Sequence, residues 1–131
     1  MELLTQIHSV VRWGVLAAGL AAGAKYAIGL IRKSDFSRAD QILTVVFTGL
    51  LDGQALLGLA LLVGLGLREN ELPPTNRILH ALTMFFAVAA AHQTARWRQA
   101  DPPRRFRNGL IAFGLALALI GLGLAVVVQT S

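Results

Sequence analysis

Four long apolar stretches, separated by short polar segments, dominate this 131-residue chain. Each is near the roughly 20 residues that an α-helix needs to cross a bilayer. The third is the weakest, because its uninterrupted apolar run is short and two histidines lie within the span. Short connections favour antiparallel neighbours. The pattern predicts one domain over residues 1–131, an all-α integral membrane four-helix bundle of up-down-up-down topology. The predicted helices cover about 7–31, 41–67, 76–98 and 107–128.

Helix boundaries carry ordinary signals. Ser37, followed three residues later by Asp40, predicts a capping box at the start of the second helix. Proline pairs at 73–74 and 102–103 interrupt the chain before the third and fourth helices.

Composition also indicates a membrane protein. Hydrophobic residues make up 55% of the chain and charged residues 15%, which is too apolar for an ordinary soluble domain. No secretory leader is predicted, because residues 1–6 contain no cation and the basic residues follow the first apolar run. The lipid bilayer is therefore the expected main partner of this chain.

The formal net charge of +5 is unevenly distributed. Cations cluster in the first and third loops, whereas the second loop balances its arginines with Glu69 and Glu71. The positive-inside rule then places the first and third loops in the cytoplasm and both termini outside, N-out/C-out. Because the charge flanks the membrane, we expect no nucleic-acid partner. The clustered cations are Arg32, Lys33, Arg38, Arg96, Arg98, Arg104, Arg105 and Arg107.

Two histidines stand at the entrances of the first and third helices. His8 and His80 should lie at similar depth near the outer face, on helices that run in the same direction and are diagonal partners in a bundle. Two neutral imidazoles on facing helices suit the axial positions of one heme b. The chain has no cysteine, so such a heme would be held noncovalently. The alternative is a pair of interfacial histidines in contact with water and headgroups.

Three further side chains lie near this predicted heme site. Arg12 is one turn deeper than His8, where a heme propionate would neutralise it, with Arg77 as a second candidate. The alternative for Arg12 is snorkelling to the outer headgroups. Met84 follows His80 by one turn and is either a further iron ligand or, more often for methionine, a core residue.

Glycines recur inside the predicted helices. Gly19 and Gly23, and likewise Gly49 and Gly53, have the GxxxG spacing that allows close helix approach. A second interpretation is that glycines make room for a flat macrocycle at the depth of the two histidines. The glycines at that depth are Gly58, Gly64, Gly66, Gly121 and Gly123.

A second polar group lies deeper. His92 is 12 residues beyond His80, about 18 Å along a helix, too far to bind the same iron. Lys25 is expected near the level of His92, with Asp52 and Gln54 nearer to mid-membrane. The leading interpretation is a Lys25–Asp52 ion pair, since buried charges in a bilayer usually pair. The alternative is a proton path or quinone pocket formed by all four side chains.

Several motifs resemble those of small four-helix bacterial membrane proteins described as cytochrome b-like. The resemblance implies His8 and His80 as heme ligands, Arg12 as their neighbour, and a location in the bacterial inner membrane. Asp52 departs from this pattern, because the family has a histidine two residues before the glutamine. A looser likeness is to one half of heme A synthase, whose Glu-x-x-x-His motif is missing here. The matching motifs are His8-Ser-Val-Val-Arg12-Trp13, Asp52-Gly-Gln54-Ala-Leu-Leu-Gly58, and His80 with Met84 and His92.

The sequence therefore favours a membrane-embedded b-type heme protein, an electron carrier or a subunit of a respiratory complex rather than a stand-alone enzyme. Its expected partners are a quinone or a redox protein, together with other membrane subunits or a second copy. A cofactor-free structural or assembly subunit is the main alternative. A transporter or proton-conducting protein is third, because no helix-breaking motif or internal repeat is evident.

Overall fold

A computed structural model describes the backbone of residues 2–130 and the side chains of residues 2–126, so that Met1 and Ser131 of the predicted domain lie outside the described residues. The α-helices are α1, Glu2–Arg32; α2, Arg38–Glu69; α3, Thr75–His92; and α4, Pro102–Thr130. A 3-10 helix, Gln93–Trp97, continues α3. Each of the four, α3 together with its continuation, is long and apolar enough to cross a membrane. The all-α prediction of four candidate spanning helices is confirmed.

All four helices begin earlier than predicted, and the differences are largest for α1 and α4, whose predicted starts were residues 7 and 107. The structure starts α1 at Glu2 and α4 at Pro102. Proline is tolerated in the first turn of a helix, because the N–H it lacks would have no intrahelical acceptor there. Pro102 therefore begins α4 rather than preceding it, and the arginines at 104, 105 and 107 lie on its first two turns.

The four helices form a ring in which neighbours run antiparallel. Within residues 2–130, α1 packs against α2 and α4, and α3 packs against the same two helices, so α1 and α3 are diagonal, as predicted. The seam between α2 and α3 is the least extensive of the four. Cross-helix hydrogen bonds join the end of one helix to the start of its neighbour, as antiparallel helices require. Tyr26, near the end of α1, bonds Thr44, near the start of α2, at 2.5 Å, and His80, near the start of α3, bonds Gly123, near the end of α4, at 2.9 Å.

The predicted capping box at the start of α2 is present. The Asp40 N–H donates to Ser37 Oγ at 3.3 Å, and the Ser37 N–H donates to Asp40 Oδ2 at 2.8 Å. At the other end of α2, Asn70 adopts a left-handed conformation with φ of 54° and ends the helix. Asparagine is one of the few residues with a side chain that tolerate this conformation.

The interior divides into two halves. We call the end that carries loops 33–37 and 98–101 the basic end, because the clustered cations lie there. An aromatic cluster fills this half, with ring centroids 4.9–5.6 Å apart. The half towards loop 70–74, the opposite half, instead contains polar side chains and glycines, and it is there that the predicted heme ligands lie. The aromatic cluster consists of Tyr26, Phe36, Phe47, Phe106 and Phe113.

Gly109 is required by the close approach of α4 to α1. A Cβ at this position would collide with the ring of Tyr26, which is only 1% exposed. Gly114, on the same helix, has nothing within 4 Å of the position where a Cβ would stand.

We therefore expect Gly109→Ala to destabilise the bundle by about 1–3 kcal/mol through overpacking. Gly114→Ala should be neutral or stabilising by up to about 1 kcal/mol, because alanine favours the helix. Thermal unfolding in detergent, followed by circular dichroism, measures both. Equal effects of the two substitutions would contradict the close packing of α1 on α4.

Candidate functional site

His8 and His80 both lie in the opposite half of the bundle, on the diagonal helices α1 and α3. Both side chains are half-buried. His8 is close enough to His80, and to Arg12 one turn below it, for electrostatic interaction with each. The structure thus places the two imidazoles that the sequence proposed as a pair in the same half of the bundle.

The ring of His80 is oriented by a backbone carbonyl. His80 Nδ1 lies 2.9 Å from the carbonyl oxygen of Gly123 on α4. A carbonyl oxygen only accepts, so Nδ1 carries the proton and donates it. In the neutral ring, Nε2 is then the unprotonated nitrogen, the form in which a histidine binds a metal. Gly123 makes this contact possible, because a Cβ there would stand 3.2 Å from Nδ1 and would collide with Met84 Cε.

His8 faces another glycine. Its Nε2 lies 3.2 Å from the position that a Cβ on Gly58 of α2 would occupy. The backbone carbonyl of His8 accepts a hydrogen bond of 2.7 Å from Gln54 Nε2, so α2 also holds this turn of α1. Each predicted ligand is therefore in contact with a glycine on an adjacent helix, and of the glycines assigned to this depth Gly58 and Gly123 are the two involved.

Two buried polar atoms beside His8 make no hydrogen bond to the described side chains or backbone: Arg12 Nε, a donor, and Gln54 Oε1, an acceptor. Gln54 is only 8% exposed. The Arg12 guanidinium carbon lies 5.2 Å from the centroid of the Trp13 ring, which is the cation–π contact of this side chain. A buried polar atom without a partner is costly in an apolar medium, so this region favours a ligand that both accepts and donates hydrogen bonds.

Met84 and Arg77, the other two residues predicted to lie near a heme, do not take part in this group of polar side chains. Met84 is half-buried, packs against the hydrophobic core and touches α4 at Gly123, as a core methionine does. Arg77 is exposed in the first turn of α3, and its backbone N–H donates to the carbonyl of Pro74. In the described part of the chain, no hydrogen bond or ion pair links the Arg77 side chain to either histidine.

The predicted Lys25–Asp52 ion pair is wrong. Lys25 Nζ instead donates to Asp40 Oδ1 at 2.8 Å. Lys25 lies seven residues before the end of α1, and Asp40 lies two residues after the start of α2. The lysine stem reaches towards the basic end across that small offset. Asp52 lies 14 residues into α2, about 10 Å deeper than Lys25, beyond the range of a direct bond.

Asp52 pairs with His92. Nε2 of His92 lies 2.8 Å and 2.9 Å from the two carboxylate oxygens. Asp52 is 17 residues before the end of α2, and His92 is 17 residues after the start of α3. Since the two helices run antiparallel from a short turn, these positions lie at one depth. His92 therefore lies at the level of Asp52 rather than at that of Lys25.

The four side chains considered for a proton path or quinone pocket do not form one site. Lys25 belongs to the capping box through Asp40, Gln54 belongs to the His8 cluster, and Asp52 with His92 bridges the α2–α3 seam. Asp40 was not predicted from the sequence as the ion-pair partner. Counting residues from the first loop would have shown that Asp40 lies within reach of the Lys25 side chain. The Gly123 carbonyl was also missed, since a backbone acceptor leaves no signal in a sequence.

No family model, no curated protein and no solved structure matches this chain. Within residues 2–130, no group of three or more His, Asp or Glu side chains is placed to hold a metal ion. The likeness to cytochrome b-like proteins therefore stays a prediction from the motifs given above.

Replacing Lys25 by Met should destabilise the protein by about 3 kcal/mol, because the Asp40 carboxylate, 1% exposed, would lose its cation. Lys33→Met makes the same chemical change in the exposed first loop and should have little effect. Chemical unfolding in mixed micelles compares the two. If Lys33→Met lowered the free energy of unfolding as much as Lys25→Met, the Lys25–Asp40 ion pair would not be the cause of the destabilisation.

Proposed function

We propose that this protein is a membrane-embedded b-type heme protein, an electron carrier or a subunit of a respiratory complex, with His8 and His80 as the axial ligands. One observation carries the proposal: two half-buried histidines lie in the same half of the bundle on diagonal helices, and Gly123 orients one of them so that Nε2 is left as the ligand atom. The alternative of two unrelated interfacial histidines gives no reason for that arrangement.

The two imidazoles match the donors that a noncovalent heme requires. Two imidazoles supply the two axial positions, and no third ligand is needed. Two shallow apolar depressions lie outside the pair, one along α1 at Ile7 and Val11 and one between α3 and α4 at Thr83. A ligand bound by both histidines would lie between α1 and α3, where Gly58 contacts His8 and Gly123 contacts His80.

Arg12 would bind a heme propionate. Its Nε is buried without a hydrogen-bond acceptor, and a carboxylate would supply one together with the opposite charge. Gln54 acts as a positioning residue, since its amide holds the His8 carbonyl and so the turn that carries His8. A bound heme would supply a one-electron couple, and the surrounding apolar residues and the charge of Arg12 would tune its potential.

The proposed orientation follows the positive-inside rule, with the basic end in the cytoplasm and both termini outside. The histidine pair then lies near the periplasmic face of a bacterial inner membrane. From there it would exchange electrons with a quinone in the bilayer or with a partner redox protein.

The protein should purify with a noncovalent b-type heme, and His8→Ala or His80→Ala should each abolish its absorption bands. His92→Ala is the matched control and should keep most of the heme, because His92 lies at a different depth. Reduced-minus-oxidised spectra of the three variants, with circular dichroism to verify folding, give the result. Equal loss of heme in all three, or a heme-free parent protein, would overturn the assignment.

Replacing Arg12 by Leu should weaken heme retention and lower the midpoint potential, because removing a nearby positive charge disfavours the added electron of the ferrous state. Arg12→Lys should restore part of the potential through its charge, but less of the affinity, since lysine lacks the planar fork. Redox titration of both variants measures this. An unchanged potential in Arg12→Leu would remove the propionate role.

A cofactor-free structural or assembly subunit is the second candidate. The observation in its favour is the amount of apolar side chain on the outer surface of α2, where Val45, Leu56, Leu59 and Val63 are each more than half exposed. The absorption spectrum of the purified protein separates the two candidates.

A further inference from the structure

The Asp52–His92 pair lies at the middle of the bundle. Asp52 is 14 residues from one end of α2 and 17 from the other, which places it about 21 Å and about 26 Å from the two ends. A spanning helix of this length puts such a position near the centre of the hydrocarbon. These are the least favourable surroundings in a bilayer for a carboxylate or an imidazolium.

The pair is also open to the outside. The side chain of Asp52 is 41% exposed and that of His92 is 50% exposed, in contrast to Asp40 at 1%. Only Nε2 of His92 serves the carboxylate, and among the described residues Nδ1 has no hydrogen-bond partner. Hydrocarbon offers nothing to these atoms, so the exposed side of the pair requires a polar partner at the same depth.

The adjoining face of α2 is not used by the bundle itself. A Cβ at Gly49 or at Gly53 would meet nothing within 4 Å, whereas one at Gly19 would collide with Phe47 and Leu117. The GxxxG pair of α1 therefore serves packing within the chain through Gly19, and that of α2 does not. Residues at spacings of three and four share one side of a helix, so Asp52 borders a strip that contains Val45, Gly49 and Leu56.

We propose that a second copy of this chain packs on this strip, α2 against α2, around a two-fold axis along the membrane normal. Two copies inserted in the same orientation present each residue at the same depth. The Asp52 carboxylate of one copy would then meet His92 of the other, and the two ion pairs would close into one network out of contact with lipid. This charge complementarity identifies the occupant, because a second copy in the same orientation presents both an acid and an imidazole at this depth. The proposal does not depend on heme.

Cysteine cross-linking tests the geometry without interference, since the chain has no cysteine. Val45→Cys lies on the strip, and Ile111→Cys on α4 is the control. The contact of Phe47 with Phe113 sets α2 and α4 at one depth, and each cysteine lies two residues before one of these rings. Val45 is 56% exposed and Ile111 is 64% exposed, so the two sites match in depth and in accessibility to the oxidant.

Oxidation in native membranes should convert Val45→Cys into a disulfide-linked dimer of twice 14.0 kDa, at least tenfold more than Ile111→Cys. Equal yields, no cross-linking, or a product containing a different protein would overturn the proposal. The last result would indicate a heterologous partner on the same face.

Two further variants, each made in the Val45→Cys background, test what holds the dimer. Gly49→Leu should reduce the cross-linked fraction at least tenfold, whereas Gly114→Leu, at the open glycine of α4, should not. Replacing both Asp52 and His92 by Leu should also reduce it, because the polar network is lost. Undiminished cross-linking in the double variant would overturn the role of the ion pair. Gel filtration and circular dichroism verify that each variant inserts and folds.

Discussion

The interaction on which this structure depends is the pairing of polar groups with partners at their own depth in the membrane. In water an unpaired side chain is satisfied by solvent, but in hydrocarbon it retains most of its desolvation cost. The described polar contacts follow this rule. Lys25 bonds Asp40, Tyr26 bonds Thr44, and Asp52 bonds His92, each across two antiparallel helices. The hydroxyl of Thr44 also donates to the Asp40 carbonyl, so Tyr26 is the donor to Thr44.

Against that background, the opposite half of the bundle stands out because its pairing is incomplete. The aromatic half is filled with interlocking rings and satisfied hydrogen bonds. Beside His8, however, Arg12 Nε and Gln54 Oε1 are buried with no hydrogen-bond partner in the described residues. The aromatic half is thus closely packed, whereas the opposite half has unpaired polar atoms that a ligand could bind. This division is the physical argument for a binding function.

Much of the architecture could be predicted from the sequence, because long apolar runs allow few alternatives in a bilayer. Helix number, the capping box at Ser37 and the diagonal relation of α1 to α3 required only pattern and loop length. Pairings between helices were harder, because they depend on small axial offsets. The ion pair of Lys25 was assigned to Asp52 on the assumption that deep charges find each other, and the offset of about 10 Å decided otherwise. The orientation of His80 rests on a backbone carbonyl, which no residue type reveals.

The equal distances of Asp52 and His92 from the α2–α3 turn restrict how the length of this protein can change. Each lies 17 residues from its end of the connection at 70–74. One residue inserted between Asp52 and the turn would shift Asp52 by about 1.5 Å along α2 and rotate it by about 100°, which moves its side chain off the seam. An insertion between the turn and His92 would displace His92 in the same way. Such an insertion would hardly change the hydropathy of the segment, so a hydropathy profile would not reveal the loss of the Asp52–His92 ion pair. Between Asp52 and His92 we therefore expect an added residue to be tolerated only in the turn itself, because the pair depends on this spacing as well as on its chemistry.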